Sequence, residues 1–282
     1  MNNLKVVLFM SALTVLLVLI GNAINGSSGA MLFFIIAMGM NFFSYFFSDS
    51  LAIKMTRSRP VSESEAPELY AIVRGLSNRT GMPMPKVYIT PSAQPNAFAT
   101  GRNPSHAAVA VTEGLLRLLN RTELEGVLAH EFSHIKNRDV LIGTIAASLA
   151  GAITMIAHIM QWGLIFGGMR DDDEGGGLIG VAASLLMIIL APLAAMLIQM
   201  AISRSREYEA DATAARITGN PKGLASALLR LESGARQIPM QVNPATSHLF
   251  IVNPLSGQTM ARLFSTHPPI QDRVKRLEQI RI

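Results

Sequence analysis

Four long apolar runs divide the 282-residue chain into hydrophobic and polar sections. An α-helix rises 1.5 Å per residue, so about 20 residues are needed to cross the hydrocarbon core of a bilayer. The third and fourth runs are long enough, and the first two are near the lower limit. The pattern therefore predicts four transmembrane helices. The runs cover residues 4–20, 30–47, 141–166 and 178–202.

The first run has two interpretations, a transmembrane helix or a signal peptide. Its N-terminal flank carries only Lys5, and a second apolar run follows the short connection GNAINGSSG. We favour a retained hairpin over residues 1–47, with a second hairpin over residues 141–202. The polar residues 48–140 and 203–282 then form one discontinuous domain of about 170 residues, which is enough to bury a core.

Composition and charge support a membrane protein. Half of the residues are apolar, 15% are charged, and the mean hydropathy is +0.35. The net charge of +5 comes without a basic patch interleaved with aromatic residues, so we expect no nucleic-acid partner. Lys and Arg near membrane helices stay in the cytoplasm, which predicts cytoplasmic termini and a cytoplasmic polar domain. The basic residues at the membrane ends are Lys54, Arg57, Arg59, Lys136, Arg138, Arg204 and Arg206.

The segment HEFSHIKNRD, residues 130–139, places two histidines and a glutamate on one face of a predicted helix. Thr122 and Glu125 have the spacing of a capping box, so the helix should start near Glu123. His130 and His134 lie one turn apart and could bind one Zn²⁺, with Glu131 beside it to accept a proton from water. The pattern H-E-x-x-H is short, and by itself it leaves a metal site and a chance match equally open.

A third ligand could come from SRSREYEADATAARITG, residues 203–219, which continues as a helix from the fourth run. Glu207 and Asp211 lie one turn apart on the same face of this helix. Glu207 could complete a His₂Glu site, and Asp211 could hold the second ring nitrogen of a ligand histidine. A solvated helix face is an equally open interpretation, which Arg204 and Arg206 would suit.

These motifs together resemble the HtpX family of bacterial membrane-bound zinc metalloproteases, which is related to the CAAX prenyl proteases. The resemblance covers essentially the whole chain, including QPNAFATGRNPSHAAVAVTEGLL upstream and STHPPIQDRVKRL near the end. It implies a mainly α membrane protein with a discontinuous cytoplasmic α+β catalytic domain, zincin-like (gluzincin) in type, with a small β-sheet. It also implies a location in the bacterial cytoplasmic membrane.

The resemblance assigns roles at the site. It implies one Zn²⁺ per chain held by His130, His134 and Glu207, with Glu131 as general base and Asp211 as an outer partner. His267 in THPPIQDR is a candidate to stabilise the oxyanion. The alternative for His267 is a turn residue before a helix over residues 269–280.

Two predicted strands, residues 85–91 and 106–114, flank NAFATG. In zinc proteases of this type an edge strand pairs with extended substrate. The candidate substrate-binding residues are Asn96, Ala97, Phe98 and Ala99. An ordinary hairpin arm is the equally open alternative.

The functional hypothesis is an endopeptidase that cleaves misfolded or damaged membrane proteins at their cytoplasmic regions. Its partners would be polypeptides and the lipid bilayer. If both motif helices run unbroken into the membrane, the zinc should lie on the order of 10 Å from the headgroups. A metal-binding scaffold or receptor without activity is the alternative, which the intact Glu131 disfavours. An intramembrane protease is disfavoured by the charges around the motif, Glu123, Glu125, Lys136, Arg138 and Asp139.

Overall fold

The computed structural model describes residues 2–143, 145, 204–238, 250–252 and 268–282. Within these residues the backbone is mainly helical and contains one four-stranded sheet. The helices are α1 (Asn2–Phe46), α2 (Ser48–Met55), α3 (Pro67–Thr80), α4 (Glu113–Leu118), α5 (Arg121–Asn137), α6 (Arg204–Thr218), α7 (Pro221–Gln237) and α8 (Ile270–Glu278). The strands are β1 (Arg59–Pro60), β2 (Lys86–Thr90), β3 (Ala97–Gly101) and β4 (Ala107–Thr112). Helical backbone also occurs at 139–143 and 145.

Helix α1 is a helical hairpin, because its backbone leaves the helical conformation at Asn25 and Gly26. Gly26 has a φ of 53°, which a glycine adopts without steric cost. The two arms then run side by side, and Asn41 Nδ2 donates a hydrogen bond to Thr14 Oγ1 at 2.9 Å. Hydrogen bonds between polar side chains of this kind help to hold neighbouring helices together in a membrane.

Two segments of this hairpin are long and apolar enough to cross a bilayer. They are Val6–Ala23 and Asn25–Phe46, with mean hydropathies of 2.4 and 1.6. Only 22% of each segment is buried within the protein, so most of the apolar surface is available to lipid. They coincide with the first two predicted runs. The predicted third and fourth spans lie outside the described residues, except for 141–143 and 145.

The start of the third run packs against both ends of the hairpin. Leu141, Ile142 and Ile145 are buried in a cluster with Val6, and Tyr45 packs against the same cluster. Val6 lies near the start of the hairpin and Tyr45 near its end. The first residues of the hairpin and its last residues therefore both lie on the side where the chain leaves α5.

The sheet is mixed, with the strand order β1-β2-β4-β3. Strands β2 and β4 are parallel neighbours, while β1 pairs antiparallel with β2 and β3 pairs antiparallel with β4. Both predicted strands are confirmed as β2 and β4. The NAFATG segment supplies β3, which is an edge strand and also one arm of a hairpin with β4.

Helices cover both faces of the sheet, so every residue of β4 is buried. Val109 and Val111 belong to the main core, which contains the buried faces of α3, α5 and α7. Ala108 and Ala110 point to the other face, where α2 and Phe250 cover them. This alternation follows from the two-residue period of a strand.

Helix α5 begins two residues earlier than its sequence pattern predicted. The capping box is formed by Asn120 and Glu123, since the Glu123 amide donates to Asn120 Oδ1 and the Asn120 amide donates to Glu123 Oε2, each at 3.0 Å. The predicted cap at Thr122 is wrong because asparagine caps a helix as well as threonine does, and Asn120 precedes it.

The expectation that α5 runs unbroken toward the membrane is also wrong. The helix ends at Asn137, and Arg138 adopts a left-handed conformation with φ 59° and ψ 27°. Helical backbone resumes at residue 139. The chain therefore turns between the motif helix and the third apolar run.

Candidate metal centre

Helix α5 carries the motif residues on its buried side. His130 is 1% exposed and Glu131 is 3% exposed. The helix packs against α6, α7 and β3. Small residues of α6 permit the close approach, since Ala210 and Ala214 are fully buried. This packing brings Glu207 of α6 next to both histidines.

Donor atoms of three side chains face one another at this point. His130 Nε2 lies 3.1 Å from His134 Nε2. Glu207 Oε2 lies 3.6 Å from His130 Nε2, and Glu207 Oε1 lies 3.4 Å from His134 Nε2. Tetrahedral ligands at 2.0–2.1 Å from a zinc ion would be separated by about 3.3 Å. The three side chains therefore fit one zinc ion, and they form a group that could hold a metal ion among the described residues.

The burial of Glu207 decides between its two interpretations. Glu207 is 4% exposed, which excludes an ordinary solvated helix face. Asp211 follows one turn later and is 2% exposed. Both carboxylates face α5. The spacing of one helical turn between Glu207 and Asp211 therefore places both of them at the site.

Asp211 orients the first histidine. The Nδ1 of His130 lies 2.9 Å from Asp211 Oδ1, which leaves Nε2 turned toward Glu207. Burial by itself would lower the pKa of His130, but hydrogen bonds to Asp211 and Glu207 raise it to about 9. The surroundings of this imidazole therefore stabilise positive charge, as a cation site requires.

Arg273 of α8 holds Asp211 in turn. Its Nε donates to Asp211 Oδ2 at 2.8 Å and its Nη2 donates to Oδ1 at 2.7 Å. Burial alone would raise the pKa of Asp211, but the Arg273 guanidinium and the hydrogen bond with His130 hold that pKa well below its usual range. Asp211 is therefore an ionised carboxylate throughout the neutral pH range.

Sequence reasoning missed Arg273, although a signal was present. Arg273 shares one helical stripe with Ile270, Val274 and Leu277, all of which are buried. A charged residue on the apolar face of an amphipathic helix needs a buried partner. That pattern indicated a buried charge, but it could not identify Asp211 as the partner.

The second histidine also has a carboxylate partner that the sequence analysis did not assign. His134 Nδ1 lies 3.2 Å from Asp139 Oδ2. Arg206 Nη1 donates to Asp139 Oδ1 at 3.3 Å. Each imidazole thus contacts a carboxylate through Nδ1, and each carboxylate contacts an arginine.

Glu131 lies between the helix layer and the sheet. Burial raises its pKa, although the neighbouring charges of His130 and His134 and a hydrogen bond with the backbone of Ala99 act in the opposite direction. A carboxyl group with a raised pKa accepts a proton more readily than an exposed one. Its place beside both histidines suits a proton acceptor.

The predicted substrate strand is partly occupied by the chain itself. Asn96 Nδ2 donates to the carbonyl oxygen of Val252 at 2.8 Å, and the Ile251 amide donates to the carbonyl oxygen of Ala97 at 3.1 Å. Phe98 turns to the opposite face of the sheet, where it packs edge-on against Phe250. Ala99 belongs to the core on the α5 side.

The remaining candidate, His267, lies outside the described residues. The helix predicted over residues 269–280 is present as α8, which begins at Ile270 and ends at Glu278.

A buried His-His-Glu group, with a glutamate beside it and a mixed sheet along one side, defines a metallopeptidase-type site. Comparison with known families agrees. The profile of peptidase family M48 matches residues 63–281. The chain belongs to peptidase family M48, and it is a membrane metallopeptidase.

Similar proteins cover the full chain. A protein named "Protease HtpX homolog" from Pelotomaculum thermopropionicum is 71% identical over 282 residues, with 100% of each chain covered. A protein of the same name from Pyrococcus furiosus is 57% identical over 274 residues, which cover 97% of this chain and 94% of that one. The resemblance drawn from the motifs is confirmed.

A solved structure shares the fold. The crystal structure of S. mikatae Ste24p superposes with a TM-score of 0.55 at 18% sequence identity. The match covers 99% of this chain and 63% of that one. At this identity the likeness concerns the fold alone.

Proposed function

We propose that this chain is a zinc-dependent endopeptidase that cleaves membrane proteins at their cytoplasmic regions. The observation that carries the proposal is the close approach of donor atoms from His130, His134 and Glu207, with separations of 3.1–3.6 Å. When bound, zinc supplies Lewis-acid chemistry that polarises a peptide carbonyl and makes water more acidic.

The protein's own groups have distinct tasks in this proposal. Glu131 accepts a proton from the attacking water and delivers it to the leaving amine. The hydrogen bond with the Ala99 backbone orients the Glu131 carboxylate beside the edge strand. Asp211 and Arg273 keep the His130 ring in one orientation. His267 stays our candidate for stabilising the oxyanion.

Extended substrate is proposed to bind along β3. This strand is the edge of the sheet, and its residue Ala99 contacts the proton acceptor Glu131. Ile251 already bonds to Ala97, so we place the substrate beside Ala99, the residue of β3 that contacts Glu131.

The placement of the site supports a membrane-protein substrate. Leu141 and Ile142, seven and eight residues after His134, pack against the N-terminal hairpin. Because the chain turns at Arg138, this separation cannot be counted along one helix, but only a short stretch of chain lies between His134 and the hairpin contact. A protease in this position reaches polypeptide close to where it leaves the bilayer, which suits quality control of damaged membrane proteins.

The test uses the full chain purified in detergent, its Glu131→Gln variant, and Glu125→Gln as a control on the same helix. Zinc content is measured by elemental analysis, and cleavage is measured with an unfolded protein. We expect about one zinc in all three proteins and a loss of roughly 10²–10⁴-fold in kcat for Glu131→Gln alone. If Glu131→Gln cleaves the substrate as fast as the parent, Glu131 has no part in the mechanism. Bound zinc without cleavage by the parent would favour a metal-binding scaffold.

A further inference from the structure

The turn after α5 brings Asp139 back to the site. Arg138 is one of two non-glycine residues with positive φ among the described residues, and it ends the helix. The next residue, Asp139, then reaches the Nδ1 of His134 at 3.2 Å, although it lies five positions further along the chain. An unbroken helix would place these two side chains on different faces, because i and i+5 are not neighbours on a helix surface.

Asp139 also connects the two helices that carry the proposed ligands. Its other oxygen accepts a hydrogen bond from Arg206 Nη1 at 3.3 Å. Arg206 immediately precedes Glu207 in α6, while His134 belongs to α5. The side chains of Asp139 and Arg206 are 9% and 12% exposed, so water screens this ion pair far less than it screens a surface pair.

The same two residues stand where the chain enters and leaves the apolar runs. Asp139 opens the helical stretch 139–143, which carries Leu141 and Ile142 into the cluster with Val6. Arg206 lies four residues after the end of the fourth apolar run at residue 202. Displacement of either segment would therefore move one member of the ion pair.

We propose that Asp139 and Arg206 form a positioning pair that orients His134 and holds Glu207 opposite it, joining the metal site to the membrane-facing ends of α5 and α6. The inference rests on the proposed zinc site. It concerns the support of His134, whereas Asp211 and Arg273 contact the other histidine, His130. The pair is a second, separate support, because it acts on the other imidazole.

The test measures zinc binding besides activity. Full-length parent, Asp139→Asn and Arg206→Gln proteins are purified in detergent, and zinc affinity is measured by competition with a chelator. We expect affinity to fall by about 10–100-fold in each variant, the usual effect of losing a group that orients a ligand histidine. The double variant should lose little more than either single variant, since both changes break the same contact.

Two further readouts separate positioning from a general structural effect. Visible absorption of the Co²⁺-substituted proteins should change in Asp139→Asn, and kcat should fall while KM for an unfolded protein substrate stays constant. Arg204→Gln is the matched control, because Arg204 is an exposed cation two residues from Arg206 on the same helix. It should match the parent in zinc affinity and spectrum.

The outcomes distinguish this inference from the proposed function. If the parent neither binds zinc nor cleaves protein, the proposed function fails and the positioning pair fails with it. If the parent binds zinc and cleaves, but Asp139→Asn and Arg206→Gln bind zinc as tightly as the parent, only the positioning pair is overturned. Should Asp139→Asn not accumulate as folded protein, Arg206→Gln decides alone, because its zinc affinity tests the same contact from α6.

Discussion

At the scale of single residues, the site is built from charges that are buried and paired. Arg273 is fully buried, and its bidentate contact with Asp211 satisfies a carboxylate that is itself 2% exposed. Removing one member of a buried ion pair leaves the other charge without compensation, which costs more free energy than the intact pair contributes. Loss of Arg273 would therefore leave the buried Asp211 carboxylate without its compensating charge.

We predict that Arg273→Ala lowers the free energy of unfolding by about 3–5 kcal/mol, the usual cost of breaking a buried pair. Arg273→Lys should fall between this variant and the parent, because one ammonium cannot make the bidentate contact. Lys275→Ala is the control: Lys275 is exposed on the same helix and should change stability by no more than about 0.5 kcal/mol. Chemical unfolding in detergent measures all three, and equal stabilities for Arg273→Ala and Lys275→Ala would contradict the prediction.

At the scale of helices, α5 is held by its cap and by a glycine contact. Glu123 bonds to the Asn120 amide, and its carboxylate also accepts hydrogen bonds from Ser226 at 2.6 Å and Arg230 at 2.8 Å in α7. Gly126, one turn further on, lies against the backbone of Leu224. The start of the motif helix is thus fixed to α7.

The Glu123 carboxylate in the capping box should make the free energy of unfolding depend on pH. Burial alone would raise the pKa of Glu123, but hydrogen bonds from Ser226, Asn120 and Arg230 outweigh it and lower that pKa below 4.5. The stability contributed by the ionised group is therefore complete above about pH 4.5 and is lost as the pH falls through the lowered value. We predict that Glu123→Gln lowers the melting temperature at pH 7, and that the difference from the parent stays constant down to about pH 4.5 and shrinks below that pH. A difference independent of pH would show that the charge of Glu123 contributes nothing.

The glycine contact gives a second prediction at this scale. A Cβ at position 126 would lie 2.8 Å from the Leu224 nitrogen and 2.9 Å from its Cα, so Gly126→Ala forces α5 and α7 apart. We expect a destabilisation of about 1–3 kcal/mol, typical of overpacking. Gly75→Ala is the control within α3, where a Cβ would meet only Arg79 Nη2 at 3.9 Å. Alanine there should be neutral or stabilising by up to about 1 kcal/mol. Thermal unfolding in detergent compares the two variants. The melting temperature should fall for Gly126→Ala and should stay the same or rise for Gly75→Ala.

At the scale of the whole molecule, the membrane hairpin and the site belong to one connected structure. The hairpin ends beside α2, which packs on the sheet, and Arg102 of the β3–β4 turn donates to the carbonyl oxygen of Phe46 at 3.1 Å. The Arg102 guanidinium also lies 5.2 Å from the centre of the Phe46 ring. The sheet that lines the site is therefore attached to the end of the second span.

This attachment predicts a preference for tethered substrates. In liposomes, a cleavable segment placed directly after a transmembrane helix should be cut with an apparent efficiency roughly 10²-fold higher than the same segment free in solution. The physical reason is the raised local concentration of substrate near a site that we propose to lie close to the bilayer. Detergent solubilisation of both proteins into separate micelles is the control and should remove the difference. Equal efficiencies in liposomes would contradict the proposed placement.

The site shows where sequence reasoning succeeded. His130, Glu131 and His134 share a face because of helical spacing, and that spacing is local. Glu207 and Asp211 were recognisable as a pair for the same reason. Local spacing could not show that Glu207 would leave solvent and reach both imidazoles, since this depends on α6 packing against α5 across more than 70 residues of chain.

The residues that were missed share one property. Arg273 meets Asp211 across 62 positions, and Arg206 meets Asp139 across 67. The local sequence around Arg273 or Arg206 does not identify the partner of that residue, because an ion pair depends on which side chains are close in the folded chain. The turn at Arg138 was missed for a related reason: a non-glycine residue at positive φ is held by its surroundings and has no strong sequence signal.

By itself, the sequence determined the apolar hairpin, the strands β2 and β4, and the face of α5 that carries the motif, because each depends on the spacing of neighbouring residues. Tertiary structure alone decided that β3 is an edge strand partly covered by Ile251, that Glu207 is buried beside the histidines, and that each imidazole has its own carboxylate and arginine. These features depend on which distant segments pack together, and that packing is set by the burial of the whole chain.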